Sequence, residues 1–191
     1  MPTAALPLGI YRPETFRFSE RQNERGYFAE MPPNRLAALP LLFFVLFWNG
    51  FMLVWYTIAI AAHVWPMALF GLLHLGVGLH LGYKVLVELL NTKRFSIEGG
   101  RVRFTCGPLP VRGRLDVAVS DVDGFVMQSG APTRMGSTAK GFTLIANLVG
   151  GESKRLALVL EDEAAAVFAT QRMNDELAAA KARVPQLPYR G

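Results

Sequence analysis

The residues of this chain best suited to hold a metal or a haem are its three histidines, His63, His74 and His80. Imidazole serves either kind of centre. A helix-borne metal site sets two histidines at i and i+4, and no pair here has that spacing. Other reactive groups are sparse. Cys106 is the single cysteine, and no histidine lies in its stretch of the chain to activate the thiol. Asp121 and Asp123 stand two apart before Gly124, with no further ligand in the pattern. No phosphate-cradling glycine loop, nucleophile elbow or metal motif occurs. The expectation is a protein without catalytic residues, cofactor, metal or small-molecule substrate.

All three histidines lie in or beside two apolar runs. Leu36 to Ala62 carries no charged residue, and Val64 to Leu90 carries only Lys84 and Glu88 near its end. The break Ala62-His63-Val64-Trp65-Pro66 separates them. A bilayer core needs about 20 apolar residues as a helix, and lipid admits only helices or closed barrels. The two runs therefore predict an antiparallel pair of membrane helices.

Helical geometry sorts the polar groups of this pair. Gly71, His74, Gly78 and Gly82 share one face of the second helix, and Gly78 with Gly82 forms a GxxxG pair that lets another backbone approach. Asn49 and Tyr56 share a face of the first helix. Counting back from a turn near Trp65 places Tyr56 level with His74, and Asn49 about level with His80 and one turn from Gly78. The glycine face is expected to receive the first helix. His80 falls roughly opposite, and a histidine facing lipid is costly. That position points to a second protein contact, a partner subunit or a second copy. Lys84 and Glu88 stand where long side chains reach the headgroups.

Composition fits this organisation. The chain has 191 residues, 51% hydrophobic and 18% charged, and soluble chains carry about 25% charged residues. The first 35 residues are polar and punctuated by proline, so no secretory signal is expected there and the first helix serves for insertion. One cysteine excludes an internal disulfide and fits a reducing compartment. Arg12, Arg17, Arg21, Arg25 and Arg35 precede the first run; Lys84, Lys93, Arg94, Arg101 and Arg103 lie at the end of the second or after it; the break has no Lys or Arg. Both termini are expected in the cytoplasm. A net charge of +5 suits topology and solubility; nucleic-acid binding would need a dense basic face with aromatic platforms.

Along the chain, residues 1–35 form a cytoplasmic segment. In it, Thr15–Ser19 and Gly26–Ala29 suggest a β-hairpin about a turn at Arg21–Glu24. Residues 36–90 form the helical hairpin. From 91 to 184 the period changes to that of strands. Phe95 and Ile97, then Val102, Phe104 and Cys106, alternate with polar residues about the turn Glu98-Gly99-Gly100. Gly107-Pro108-Leu109-Pro110 interrupts the ladder. Strands follow at Leu115–Val119, Phe125–Gln128, Phe142–Leu148 and Leu156–Leu160. Ser129 to Lys140, with Arg134 and Lys140, reads as a long polar loop of the kind that often carries function. Ala166, Ala169, Met173, Leu177, Ala180 and Val184 then mark an amphipathic helix, and 185–191 is a tail. The fold class expected is a membrane helical hairpin with a cytoplasmic α+β domain, a small antiparallel barrel or sandwich capped by a C-terminal helix.

The run Leu90-Asn91-Thr92, Phe95-Ser96-Ile97, Gly100, Val102, Gly107-Pro108-Leu109-Pro110, Gly113 and Asp121-Val122 resembles bacterial inner-membrane proteins with a pleckstrin-homology-like domain after two membrane helices. The likeness spans roughly residues 36–180. It implies seven strands and a C-terminal helix; six are read after the helices, and the N-terminal hairpin can supply the seventh. It brings no catalytic residues. Such domains can bind phosphoinositides, and Lys93, Arg101 and Arg103 loosely resemble the basic pattern used, although Glu98 at the turn is acidic. General attraction of Lys93 and Arg94 to anionic lipid is the stronger reading. The function expected is a noncatalytic, membrane-anchored interaction protein, an accessory subunit or assembly factor of a membrane complex. Its interacting residues would be His80, Gly78, Gly82, Tyr56, His74, Arg134 and Lys140, with Lys84, Lys93, Arg94, Arg101 and Arg103 at the membrane surface. The alternative is a small haem- or metal-binding membrane protein using His74 or His80.

Overall fold

The computed structural model describes residues 12–132 and 140–183. The chain divides into two compact units, Pro33–Asn91 and the remainder.

The first unit is a helical pair, α1 (Arg35–Ala61) and α2 (Trp65–Leu90). Asn34 caps α1 by accepting the Ala37 N–H at 3.4 Å. The helix ends on a motif in which His63 takes a left-handed φ of 55°, its N–H bonding Ile60 O at 3.1 Å while Val64 N–H bonds Ala59 O at 2.9 Å. Glycine normally fills that position; here it is a histidine. Pro66 stands at the start of α2, where its missing N–H costs nothing. The residues buried in the pair are Ala38, Val45, Met52 and Ala59 from α1, and Gly71, Gly78, Leu81 and Val85 from α2. Most recur every seventh position, the repeat that keeps one seam of a helix facing its neighbour. Outside that seam the pair is apolar and exposed: Leu36, Phe43, Leu69 and Leu73 each show 70% or more of their surface.

The second unit has eight strands among its described residues: β1 (Ser19–Asn23), β2 (Gly26–Met31), β3 (Thr92–Glu98), β4 (Arg101–Gly107), β5 (Leu115–Ala118), β6 (Val122–Pro132), β7 (Lys140–Leu148) and β8 (Ser153–Leu160). They form two antiparallel sheets, β1-β2-β3-β4-β5 and β6-β7-β8. Helix α3 (Glu163–Arg183) follows. Gly99 and Gly100, with φ of 56° and 71°, form the β3–β4 turn, whose two positive φ values suit the twist of a hairpin.

The N-terminal hairpin belongs to this unit. Strand β2 pairs with β3 from Gly26↔Glu98 to Met31↔Lys93, so the sheet brings together strands that lie on either side of the helical pair in sequence. The expected first strand is displaced. Thr15–Ser19 is not a strand; β1 starts at Ser19 and the hairpin turns at Glu24-Arg25. Phe16 and Phe18 nonetheless alternate into the core, held by a turn at Pro13 (Phe16 N–H to Pro13 O, 3.0 Å) and by Arg12, whose guanidinium bonds Phe18 O at 2.6 Å. Alternation toward a core marks burial, and here it occurs without a strand partner.

The core joins both sheets and α3. Phe95 meets Phe125 edge to face at 5.5 Å, and Phe16 meets Phe168 at 4.7 Å. The expected stripe of α3 is buried at Ala166, Ala169, Met173 and Leu177, with Phe168 added. Asp162 caps α3 through Ala165 N–H at 3.2 Å and accepts Thr15 Oγ1 at 2.5 Å. The Thr15 bond foremost, with the backbone N–H groups of Glu163, Ala164 and Ala165, holds the Asp162 carboxyl below the usual aspartate range. Asn174 fastens the helix to β6. Its Oδ1 accepts Phe125 N–H at 2.7 Å and its Nδ2 donates to Phe125 O at 2.9 Å, so the amide stands where a neighbouring strand would.

Candidate functional site

The seam of the helical pair is built on missing side chains. A Cβ placed on Gly71 would lie 3.0 Å from the Tyr56 ring, and one on Gly78 would lie 2.8 Å from Asn49 Oδ1 and 3.0 Å from Trp48. One on Gly82 would meet only Val45 Cγ1, at an ordinary 3.7 Å. The glycine face thus receives α1 as expected, but the close pair is Gly71 and Gly78, one heptad apart, rather than Gly78 and Gly82.

Tyr56 does not meet His74. The contacts Tyr56–Gly71, Asn49–Gly78 and Val45–Gly82 are all centred on the His63–Val64 turn. Counting from Trp65 placed the turn too late and shifted the partners by nearly one helical turn. His74 instead lies beside Trp48, with ring centroids 5.9 Å apart, and beside Phe70 at 4.9 Å. The Trp48 indole N–H donates to His74 O at 3.2 Å, and Trp55 donates likewise to Met67 O at 3.1 Å. These two indoles tie α1 to α2 by hydrogen bonds that an apolar medium strengthens. Neither was legible as a pairing element, because Trp48 and Trp55 read as two more apolar residues. Tyr56 Oη is buried in the seam without a hydrogen-bond partner.

His80 lies on the exposed surface of α2, as do Lys84 and Glu88. His74 is half-buried. The two histidines are six positions apart, which turns their side chains well apart around the helix. Among the described residues no three His, Cys, Asp or Glu side chains gather into a metal site.

The basic residues of the sheet unit are mostly engaged. Arg101 and Arg103 share Asp116, at 2.8 and 3.3 Å; the Arg101 hydrogen bond foremost holds the Asp116 carboxyl below its usual range. Arg94 pairs with Glu30 at 3.2 Å. Lys93 is half-buried. The pattern expected for a headgroup therefore meets carboxylates: on adjacent antiparallel strands, the alternation that aligns Arg101 and Arg103 also brings Asp116 opposite. Arg134 lies outside the described residues, and of Lys140 only its place at the start of β7 is described.

A charged cluster between the hairpin and α3 escaped the sequence reading. Arg172 reaches Glu176 at 3.1 Å and Glu20 at 3.6 Å, and its guanidinium lies 5.3 Å over the Tyr27 ring. Tyr27 Oη donates to Glu20 at 2.6 Å, and Gln22 Nε2 to Glu176 at 3.5 Å. Burial, reinforced by the bond to Glu20, pushes the Tyr27 hydroxyl up; burial likewise raises Glu176, against the pull of Arg172. Two carboxylates share one cation. The only available signal was the i, i+4 spacing of Arg172 and Glu176.

A scan of the chain against protein-family models finds no match, and a search of curated proteins finds none.

Proposed function

We propose that this chain is a noncatalytic interaction protein of a membrane, an accessory subunit or assembly factor of a larger membrane complex. Its two helices span the bilayer, both termini are cytoplasmic, and the sheet unit is a pleckstrin-homology-like barrel or sandwich on the cytoplasmic side. The observation that carries this reading is the exposure of the helical pair. Both α1 and α2 are long and strongly apolar, yet only 17% and 22% of their apolar stretches are buried. A core helix of a soluble domain hides most of such a surface; a lipid-bathed helix does not.

The partner contact lies on the His80 side of α2. The seam toward α1 is occupied by Gly71, Gly78 and the two tryptophans, while His80 stands on the outer surface where an unpartnered imidazole is costly in lipid. A neighbouring membrane helix offering a hydrogen-bond acceptor relieves that cost. The runner-up, haem ligation through His74 or His80, competes with the aromatic packing of His74. It has a separate test: a Soret band in the purified protein would establish it.

Purification in mild detergent, followed by identification of co-purifying membrane proteins, tests the proposal. Wild type should retain a defined partner that His80→Leu loses while keeping its own fold. Identical recovery by both would remove His80 from the contact.

A further inference from the structure

The loop joining β4 to β5, residues 107–114, reads Gly-Pro-Leu-Pro-Val-Arg-Gly-Arg. It contains two arginines and no acidic residue. Arg112 and Arg114 are exposed, as are Pro108 and Pro110, with Leu109 and Val111 half-exposed. Among the described residues neither arginine has an ion-pair partner, which sets them apart from Arg94, Arg101 and Arg103.

The loop is held in shape. Gly113 has φ of 92°, and a Cβ there would lie 2.6 Å from Ala157 N and 2.9 Å from Arg155 O. Gly113 O accepts the Ala157 N–H of β8 at 3.1 Å. Only glycine permits this approach. Arg114 bonds back to Cys106 O at 3.3 Å. A loop fixed in this way loses little entropy on binding.

Its position follows from register and chain connection. Gly107 pairs with Thr92 and Cys106 with Lys93, while Met31 of β2 also pairs with Lys93. Thr92 follows α2 by one residue, Asn91, and Met31 precedes α1 by three. The loop thus starts at the end of the five-stranded sheet where the chain leaves for, and returns from, the two apolar helices. The opposite end carries the turns with Glu24 and Glu98.

We infer that the 107–114 loop is a lipid contact, with its Pro-Leu-Pro-Val segment entering the headgroup layer and Arg112 and Arg114 binding anionic phosphates. The inference rests on the membrane reading above. A short tether from α2 keeps this end of the sheet within reach of the headgroups. There, each basic residue is drawn to anionic lipid, and arginine matches phosphate geometry better than a point charge.

The test uses the full chain in nanodiscs of phosphatidylcholine, with or without added phosphatidylglycerol. Val111→Cys carries an environment-sensitive fluorophore, with the unsubstituted chain as background because Cys106 is buried. Glu24→Cys, at the other end of the sheet, is the reference. The 111 label should report an apolar setting and be quenched by lipid-borne nitroxide in anionic discs, while the 24 label stays in water. Arg112→Glu should reduce the preference for anionic over zwitterionic discs by about tenfold, and Arg112→Lys should restore most of it. A 111 label equally open to aqueous quencher in both lipids overturns the inference while leaving the membrane reading intact, as does one shielded only when a protein co-purifies. Failure of the chain to enter discs at all overturns both.

Discussion

Asn174 on α3 closes both backbone groups of Phe125 on β6 with one side-chain amide, accepting at 2.7 Å and donating at 2.9 Å. Phe125 is buried, so these groups have no solvent to fall back on. Alanine at 174 leaves a buried donor and a buried acceptor unpaired. The expected cost is about 2–3 kcal/mol, read as a lower denaturation midpoint together with loss of hydrogen-exchange protection at the Phe125 amide. Aspartate keeps the acceptor and loses the donor, so Asn174→Asp should fall between wild type and Asn174→Ala.

Removing Arg172 leaves Glu20 and Glu176 without their shared cation. Arg172→Met is expected to cost about 3 kcal/mol at neutral pH, as breaking a buried pair from one side does. The sign of its pH dependence follows from the carboxylates. Burial already raises the Glu176 carboxyl against the pull of Arg172, and without Arg172 it rises further, so the stability it contributes is present at low pH and lost as pH rises through its folded value. The deficit of the variant should therefore shrink as pH falls toward about 5. A deficit independent of pH would show that the lost packing of the guanidinium over Tyr27, not the charge, is responsible.

The acid limb of wild-type stability has a different source. Asp162 is held below its ordinary value of 3.8, first by Thr15. A depressed folded pKa stabilises above the unfolded value and ceases to do so as pH falls through the folded value. Thr15→Val should therefore lower stability near neutrality, and its deficit should shrink as pH falls through the folded value of Asp162. A deficit that does not change on acidification would show that Thr15 does not act through the Asp162 carboxylate.

How far the sequence could be read depended on the kind of interaction. Period-two alternation placed β3, β4, β7 and β8, and period 3.6 placed α3, because each of these elements buries one face against one core. The same signal misjudged Thr15–Ser19: Phe16 and Phe18 are buried without a strand. The helical pair was clear from apolar length, and the glycine face from its spacing. Its register was not, since moving the turn by one or two residues shifts every contact by about three, and nothing in the apolar run marks the left-handed residue as His63. Polar side chains that reach across the fold were invisible. Asn174 capping β6, Arg172 between two glutamates and Asp116 opposite two arginines each join residues whose proximity only the strand order creates.

The seam gives an internal comparison. Leucine at Gly78 must displace Asn49 and Trp48, whereas leucine at Gly82 begins from an ordinary contact with Val45. Overpacking a close seam costs about 1–3 kcal/mol, so Gly78→Leu should be more destabilised than Gly82→Leu in a detergent denaturation series. The reverse order would contradict the heptad seam and favour the GxxxG pair.

Under the proposed function, α1 and α2 cross a membrane and hold the sheet unit on its cytoplasmic face. Paired topology reporters test this most directly, one fused after Gly191 and one inserted within His63–Pro66, each active only outside the cytoplasm. The reporter at the C-terminus should be silent and the one at the turn active. An active C-terminal reporter with a silent turn would place the sheet unit on the other side, and two silent reporters on a chain recovered in the soluble fraction would contradict membrane crossing altogether.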